Sequence, residues 1–132
     1  MILVDTSVLL DVLKGDPHWL GWSRSALEAA ASREELVIND IVYAELSTRY
    51  TRIEALDEAI GAMALKHSAI PRDALFLAGK AFLRYRKRGG TRTGVLSDFF
   101  IGAHAAVERS QLLTRDIERV RTYFPTVDLI AP

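Results

Sequence analysis

Short aliphatic runs, each followed by a polar residue and then by helical spacing, constrain this chain more than any other feature. Ile2-Leu3-Val4 ends at Asp5, and Leu36-Val37-Ile38 ends at Asn39-Asp40. Gln111-Leu112-Leu113-Thr114 lies just before Asp116, and Val127-Asp128-Leu129-Ile130 comes last. The first two, continuously apolar, read as strands buried on both faces, and the other two read as a third and a last strand. Strands separated by helices imply an α/β chain with a parallel sheet and helices on both faces. Sheets of this kind take their ligands beyond the carboxyl ends of the strands.

The intervening segments carry helix signals. Thr6 or Ser7 can cap a helix over Val8–Lys14, with Leu9, Leu10 and Leu13 inward, and Gly15-Asp16-Pro17 stops it. His18 to about Arg33 reads as a second helix, with Trp19, Trp22, Ala26 and Ala30 at helical spacing. Asn39 or Asp40 caps a third through about Arg49, and Arg52 to about Lys66 forms a fourth. Pro71 suits the first turn of a long helix with Ala74, Leu77, Ala78, Ala81 and Phe82 on one face. Gly89-Gly90 ends it, and residues 89–96 read as a mobile loop. Ser97 or Asp98 opens the next helix, in which Phe99, Ile101, Ala105 and Val107 can pack, and Asp116 to about Tyr123 forms a short one.

With 132 residues, 49% apolar and 26% charged, the chain matches an ordinary globular domain and excludes disordered and fibrous classes. No apolar run is long enough for a membrane span, and Met1-Ile2-Leu3-Val4-Asp5 lacks the basic start of a signal peptide. The absence of cysteine excludes disulfides and thiolate metal sites and fits a cytoplasmic protein. A net charge of zero hides an asymmetry: residues 1–66 hold 6 Lys/Arg against 11 Asp/Glu, and the rest hold 11 against 6. That basic half permits nucleic-acid contact without requiring it.

Four acids fall where such a sheet would gather them. Asp5 ends the first strand, Asp116 follows the third, Asp98 starts a helix, and Glu45 lies two turns into the helix after Ile38. Four carboxylates in one pocket repel one another, and a divalent cation relieves that repulsion. An all-oxygen set favours Mg²⁺ or Mn²⁺ over zinc. One or two such ions can activate water and stabilise a leaving oxygen in phosphodiester hydrolysis. Taken singly, the acids have plainer readings. Asp98 and Asp116 can be helix caps, and Glu45 can pair with Arg49 one turn on.

Together, the motifs resemble a known family. Val4-Asp5-Thr6-Ser7-Val8-Leu9-Leu10-Asp11-Val12-Leu13 looks like the opening motif of PIN-domain nucleases. Ile41-Val42-Tyr43-Ala44-Glu45-Leu46 and Ser97-Asp98-Phe99-Phe100-Ile101-Gly102-Ala103 are similar to the second and third acidic motifs. Leu112-Leu113-Thr114-Arg115-Asp116, followed by Tyr123-Phe124-Pro125, is similar to the fourth. The chain most resembles the VapC-like toxins of toxin–antitoxin modules. The resemblance implies a single PIN domain over residues 1–132, with three α/β/α layers and a central parallel sheet of four or five strands. It also implies a Mg²⁺- or Mn²⁺-dependent endoribonuclease, restrained by a cognate antitoxin and forming a homodimer. Asp5, Glu45, Asp98 and Asp116 would be its catalytic metal ligands. Thr114 matches the family hydroxyl before the last acid, and Ser7 stands where the family often has Asn. Arg115 matches the motif without an assignable role.

The segment Arg84 to Arg92 holds Arg84, Arg86, Lys87, Arg88 and Arg92 without an acid, so it could grip RNA phosphates, with Tyr85 stacking on a base. A solvated helix end is the plainer reading. His104 reads as a packed or surface histidine, Asp11 and Asp40 as surface or cap residues, and Trp19 and Trp22 as packing. A phosphotransferase with Asp5 as nucleophile needs a second acid where Ser7 stands. A phospho-accepting receiver needs paired acids after the first strand and a strand-end lysine, neither of which is present. A non-toxin PIN nuclease and a metal-binding PIN module without cleavage, acting as a binding partner, are the remaining alternatives.

Overall fold

The computed structural model describes residues 1–132. Five parallel strands form one sheet, β1 (Ile2–Val4), β2 (Leu36–Ile38), β3 (Lys66–His67), β4 (Gln111–Leu113) and β5 (Leu129–Ile130), in the order β3-β2-β1-β4-β5. Seven helices flank it: α1 (Thr6–Lys14), α2 (Leu20–Ala31), α3 (Asp40–Ser47), α4 (Ile53–Ala62), α5 (Arg72–Lys87), α6 (Leu96–Glu108) and α7 (Ile117–Tyr123). This is the α/β/α arrangement expected from the sequence.

β1 lies in the middle, with Leu3 opposite Val37 on one side and Leu112 on the other. The chain goes to β2 on one side and returns to β4 on the other, so the connections diverge between β1 and β4. A crevice forms at the carboxyl ends of the strands flanking such a switch point. Ile2, Leu3, Val4, Ile38 and Leu113 are wholly buried, as strands covered on both faces must be. α5 and α6 pack on each other, and Phe99 and the alanines 74, 78 and 81 fill the buried side of this pair.

Several local expectations are corrected. α1 begins at Thr6, because Asp5 continues the extended backbone and itself takes the N-cap position. Gly15 ends α1 with φ +64°, a conformation that glycine adopts without strain. α2 begins at Leu20, because Asp16 Oδ1 accepts the backbone N–H groups of His18 and Trp19 at 2.8 and 2.9 Å and folds that segment into a turn. α4 stops at Ala62, and Ala64 turns the chain with φ +55°. Lys66-His67 then pairs with Val37 and Ile38 as an edge strand where the periodicity predicts helix. Asn39 caps α3 as expected, accepting from the N–H groups of Ile41 and Val42. Pro71 occupies the N-cap of α5, one residue outside the first turn.

The segment after α5 is tied down rather than loose at its start. Gly90 N–H donates to the Tyr85 carbonyl, and Arg92 N–H to the Tyr85 hydroxyl at 3.0 Å. α6 starts at Leu96, one residue before the expected cap, which puts Asp98 inside its first turn. There the helix dipole favours a negative charge.

Candidate active site

The four acids reach the same crevice from four elements. Asp5 leaves β1 and Asp116 caps α7 just beyond β4, while Glu45 projects from α3 and Asp98 from α6. Together with Thr6, Ser7, Leu10 and Arg115 they line an open cleft of about 390 Å³.

Hydroxyls hold the carboxylates. Thr114 Oγ1, wholly buried, donates to Asp5 Oδ2 at 2.6 Å and accepts the Asp116 N–H at 2.9 Å. One hydroxyl thus fixes the acids that follow β1 and β4 relative to each other. Ser7 Oγ adds a longer bond to Asp5 Oδ2 at 3.2 Å. Thr6, buried and expected only as a cap, donates to Glu45 Oε1 at 2.7 Å.

The fourth element of order is a residue that the sequence reading missed. Arg119 lies one turn into α7, and its Nη1 bridges Asp98 Oδ2 at 2.5 Å and Asp116 Oδ2 at 3.0 Å. Its spacing of three residues from Asp116 was the available signal, since such pairs share a helix face. The link to Asp98, 21 residues away, had none.

Crowding raises the proton affinity of this cleft. Burial pushes the Asp5 carboxyl up, against the Thr114 and Ser7 hydrogen bonds, which favour its charged form. Burial also raises Glu45, opposed by the Thr6 hydroxyl. Asp98 goes to about 6, pushed by burial and then by the charge on Asp5, with the Arg119 guanidinium pulling the other way.

The donor set fits a hard divalent cation in kind: it is all oxygen. Glu45 Oε2 and Asp98 Oδ1 accept no hydrogen bond from the protein and are free to ligate. The spacing is not yet that of a finished metal site, because no three carboxylates are gathered to hold one ion as they stand. Arg119 and the hydroxyls occupy Asp98 Oδ2, both Asp116 oxygens, Glu45 Oε1 and Asp5 Oδ2 instead.

Asp11 is no surface residue. It is 3% exposed, and Arg115 meets it with a two-pronged ion pair, Nε to Oδ2 at 2.8 Å and Nη2 to Oδ1 at 3.0 Å. Ser23 donates to the same carboxylate at 2.6 Å, and the guanidinium lies 4.7 Å from the Trp19 ring centroid. The motif arginine therefore ties α1, α2 and the β4–α7 connection into one wall of the cleft. His104 is wholly buried, with Nδ1 3.2 Å from the Asn39 amide; burial lowers its proton affinity, and it lies apart from the acids. Asp40 is exposed and pairs with His67.

Arg84, Arg86, Lys87, Arg88 and Arg92 do not line the acidic cleft. Arg84 and Arg88 stand over the Tyr123 ring at 5.5 and 5.7 Å, and Arg86 over Phe82 at 5.7 Å. Tyr85 is not free to stack on a base. Its ring is packed among Phe82, Phe99 and Tyr123, and its hydroxyl is engaged by Arg92.

Comparison with known proteins agrees with this geometry. Residues 2–125 match the PIN domain family. Solved structures with a similar fold include VapBC2 from Rickettsia felis, bound to a promoter DNA fragment, with a TM-score of 0.73 at 20% identity over 99% of this chain and 98% of that one. VapBC-1 from nontypeable Haemophilus influenzae gives 0.73 at 19% identity, over 99% and 98%. VapC20 from Mycobacterium tuberculosis, a toxin that cleaves the sarcin–ricin loop, gives 0.66 at 18%, over 97% and 99%. No curated protein matches the sequence. A sequence match over nearly the whole chain, on a fold that gathers the motif acids in one cleft, makes this chain a member of the PIN domain family.

Proposed function

We propose that the chain is a divalent-metal-dependent endoribonuclease and the toxin of a toxin–antitoxin pair. PIN domains are nucleases, and the observation that carries the reading is the convergence of Asp5, Glu45, Asp98 and Asp116 on one cleft at the switch point of the sheet. Glu45 and Asp98 offer free oxygens for one or two Mg²⁺ or Mn²⁺ ions, and Asp5 and Asp116 complete the set. What such an ion supplies is Lewis acidity toward water and a phosphodiester oxygen. The protein's own contribution is to hold the ligands. Thr114 and Ser7 orient Asp5 and favour its charged form against burial, and Thr6 does the same for Glu45. The open cleft admits a polynucleotide backbone, and the Arg84–Arg92 segment meets phosphates outside it.

Structural likeness to VapBC complexes supports an antitoxin protein as partner; a homodimer as the working form and action in the cytoplasm as a single domain over residues 1–132 belong to the same proposal. Incubation of the purified chain with total cellular RNA and Mg²⁺ or Mn²⁺, beside EDTA and beside Asp98→Asn, tests the reading. Discrete products that need metal and vanish in the variant are expected. Products that survive EDTA or the substitution refute it. Metal binding without any product identifies a catalytically silent PIN module.

A further inference from the structure

Among the charged groups of the cleft, Arg119 stands alone. It is the one cation in contact with any of the four acids, since Arg115 is matched to Asp11. Its side chain is 20% exposed, and one nitrogen, Nη1, serves two carboxylates from two different elements. A guanidinium between two carboxylates forms strong, charge-assisted bonds, here with Asp98 Oδ2 and Asp116 Oδ2, so that a metal taking either carboxylate through both oxygens meets Arg119 first. No three carboxylates of the cleft are gathered to hold one ion with Arg119 in this place. A dication ligated by Asp98 and Asp116 would also meet the positive guanidinium at close range.

We infer that Arg119 is the built-in counter-ion of the cleft and that a metal ion enters by displacing it. The guanidinium keeps Asp98 and Asp116 together before the metal arrives, and leaves their inner oxygens when it binds. Arg119 is in this sense a positioning residue, and it sets how tightly the cleft binds metal. The inference rests on the metal-dependent reading above, but the two fail in different ways.

Calorimetric Mn²⁺ titration of the wild type, Arg119→Gln and Arg119→Lys is the test. Removing the competing charge in Arg119→Gln is expected to tighten Mn²⁺ binding about tenfold or more. Arg119→Lys, which keeps the charge, is expected to stay near the wild type. In parallel, Mg²⁺ is added to the ¹⁵N-labelled wild type, with the Arg119 Nε–Hε resonance identified by its loss in the variants. That resonance should shift while that of Arg115, held by Asp11, stays in place. Tight binding to Arg119→Gln with none to the wild type is the extreme form of the expected result. Equal affinities in wild type and Arg119→Gln, or an unmoved Arg119 resonance at Mg²⁺ saturation, would overturn displacement and leave metal dependence standing. Absence of Mn²⁺ binding in all three proteins would overturn both. The resonance is read on the wild type and its loss in either variant assigns it, so it decides the matter even if one of the two variants folds poorly.

Discussion

Thr114 shows how much one side chain can decide. Its hydroxyl donates a hydrogen bond to Asp5 and accepts one from the Asp116 backbone N–H, with no exposure to solvent. Thr114→Val keeps the shape and leaves both partners short. We expect about 1–3 kcal/mol loss of stability in urea denaturation and weaker Mn²⁺ binding, because Asp5 loses a bond that favours its charge. Asp98 adds a pH dependence. Its carboxyl sits at about 6 in the folded chain, against about 3.9 for an ordinary aspartate. The folded chain therefore holds this proton more tightly than the unfolded one. The resulting stabilisation of the metal-free protein is complete below about pH 3.9 and is lost as pH rises through about 6. Mn²⁺ competes with that proton, so affinity should climb between about pH 5 and about pH 7.5; a flat profile would remove the raised Asp98. The four acids were legible from their places after strands and in helices, and Thr114 from the resemblance of its motif to the family's. Asp11 was not, since its partner Arg115 lies 104 residues away and nothing local in an amphipathic helix announces a buried carboxylate. Asp11→Ala strands the arginine in the cleft wall and should cost about 3 kcal/mol, read from the urea midpoint.

At the scale of elements, periodicity served well where a helix or strand carries a long or purely apolar signal. β1, β2 and β4 are such strands, and α5 has its small residues on one face as the spacing predicts. It failed at β3, whose two residues are Lys66 and His67, both exposed. A polar edge strand of this length has no apolar signature, and its register comes from β2 alone. Helix starts slipped by one or two residues for a related reason: Asp5, read as the end of a strand, takes the N-cap position of α1, and Asp98, which looks like a cap, lies inside α6, both with their side chains in the cleft. α6 offers a sharper test. A Cβ on Gly102 would lie 2.5 Å from Phe124 Cδ2, so α6 and the end of α7 meet there without room for a methyl group. Gly102→Ala should cost about 1–3 kcal/mol through overpacking, again measured by urea denaturation; an unchanged midpoint would mean that the Phe124 ring gives way freely.

For the whole molecule, the sheet order is what turns scattered acids into a cleft. The sequence alone implied a parallel sheet and its ligand-bearing edge, because buried strands separated by helices leave few alternatives. It did not show that β1 lies between β2 and β4, nor that a single arginine would stand among the carboxylates. Both depend on pairings between residues far apart in the chain. The order of those pairings bears on how the protein is made. Chains emerge and fold from the amino end, yet Asp5, just after β1, takes its shorter hydroxyl bond from Thr114, 109 residues further on, and Asp116 follows two residues later. A growing chain therefore carries three of the four acids without a cleft to hold them. The proposed chemistry switches on only once β4 and Asp116 have left the ribosome, which leaves the translating machinery facing an inert polypeptide until then.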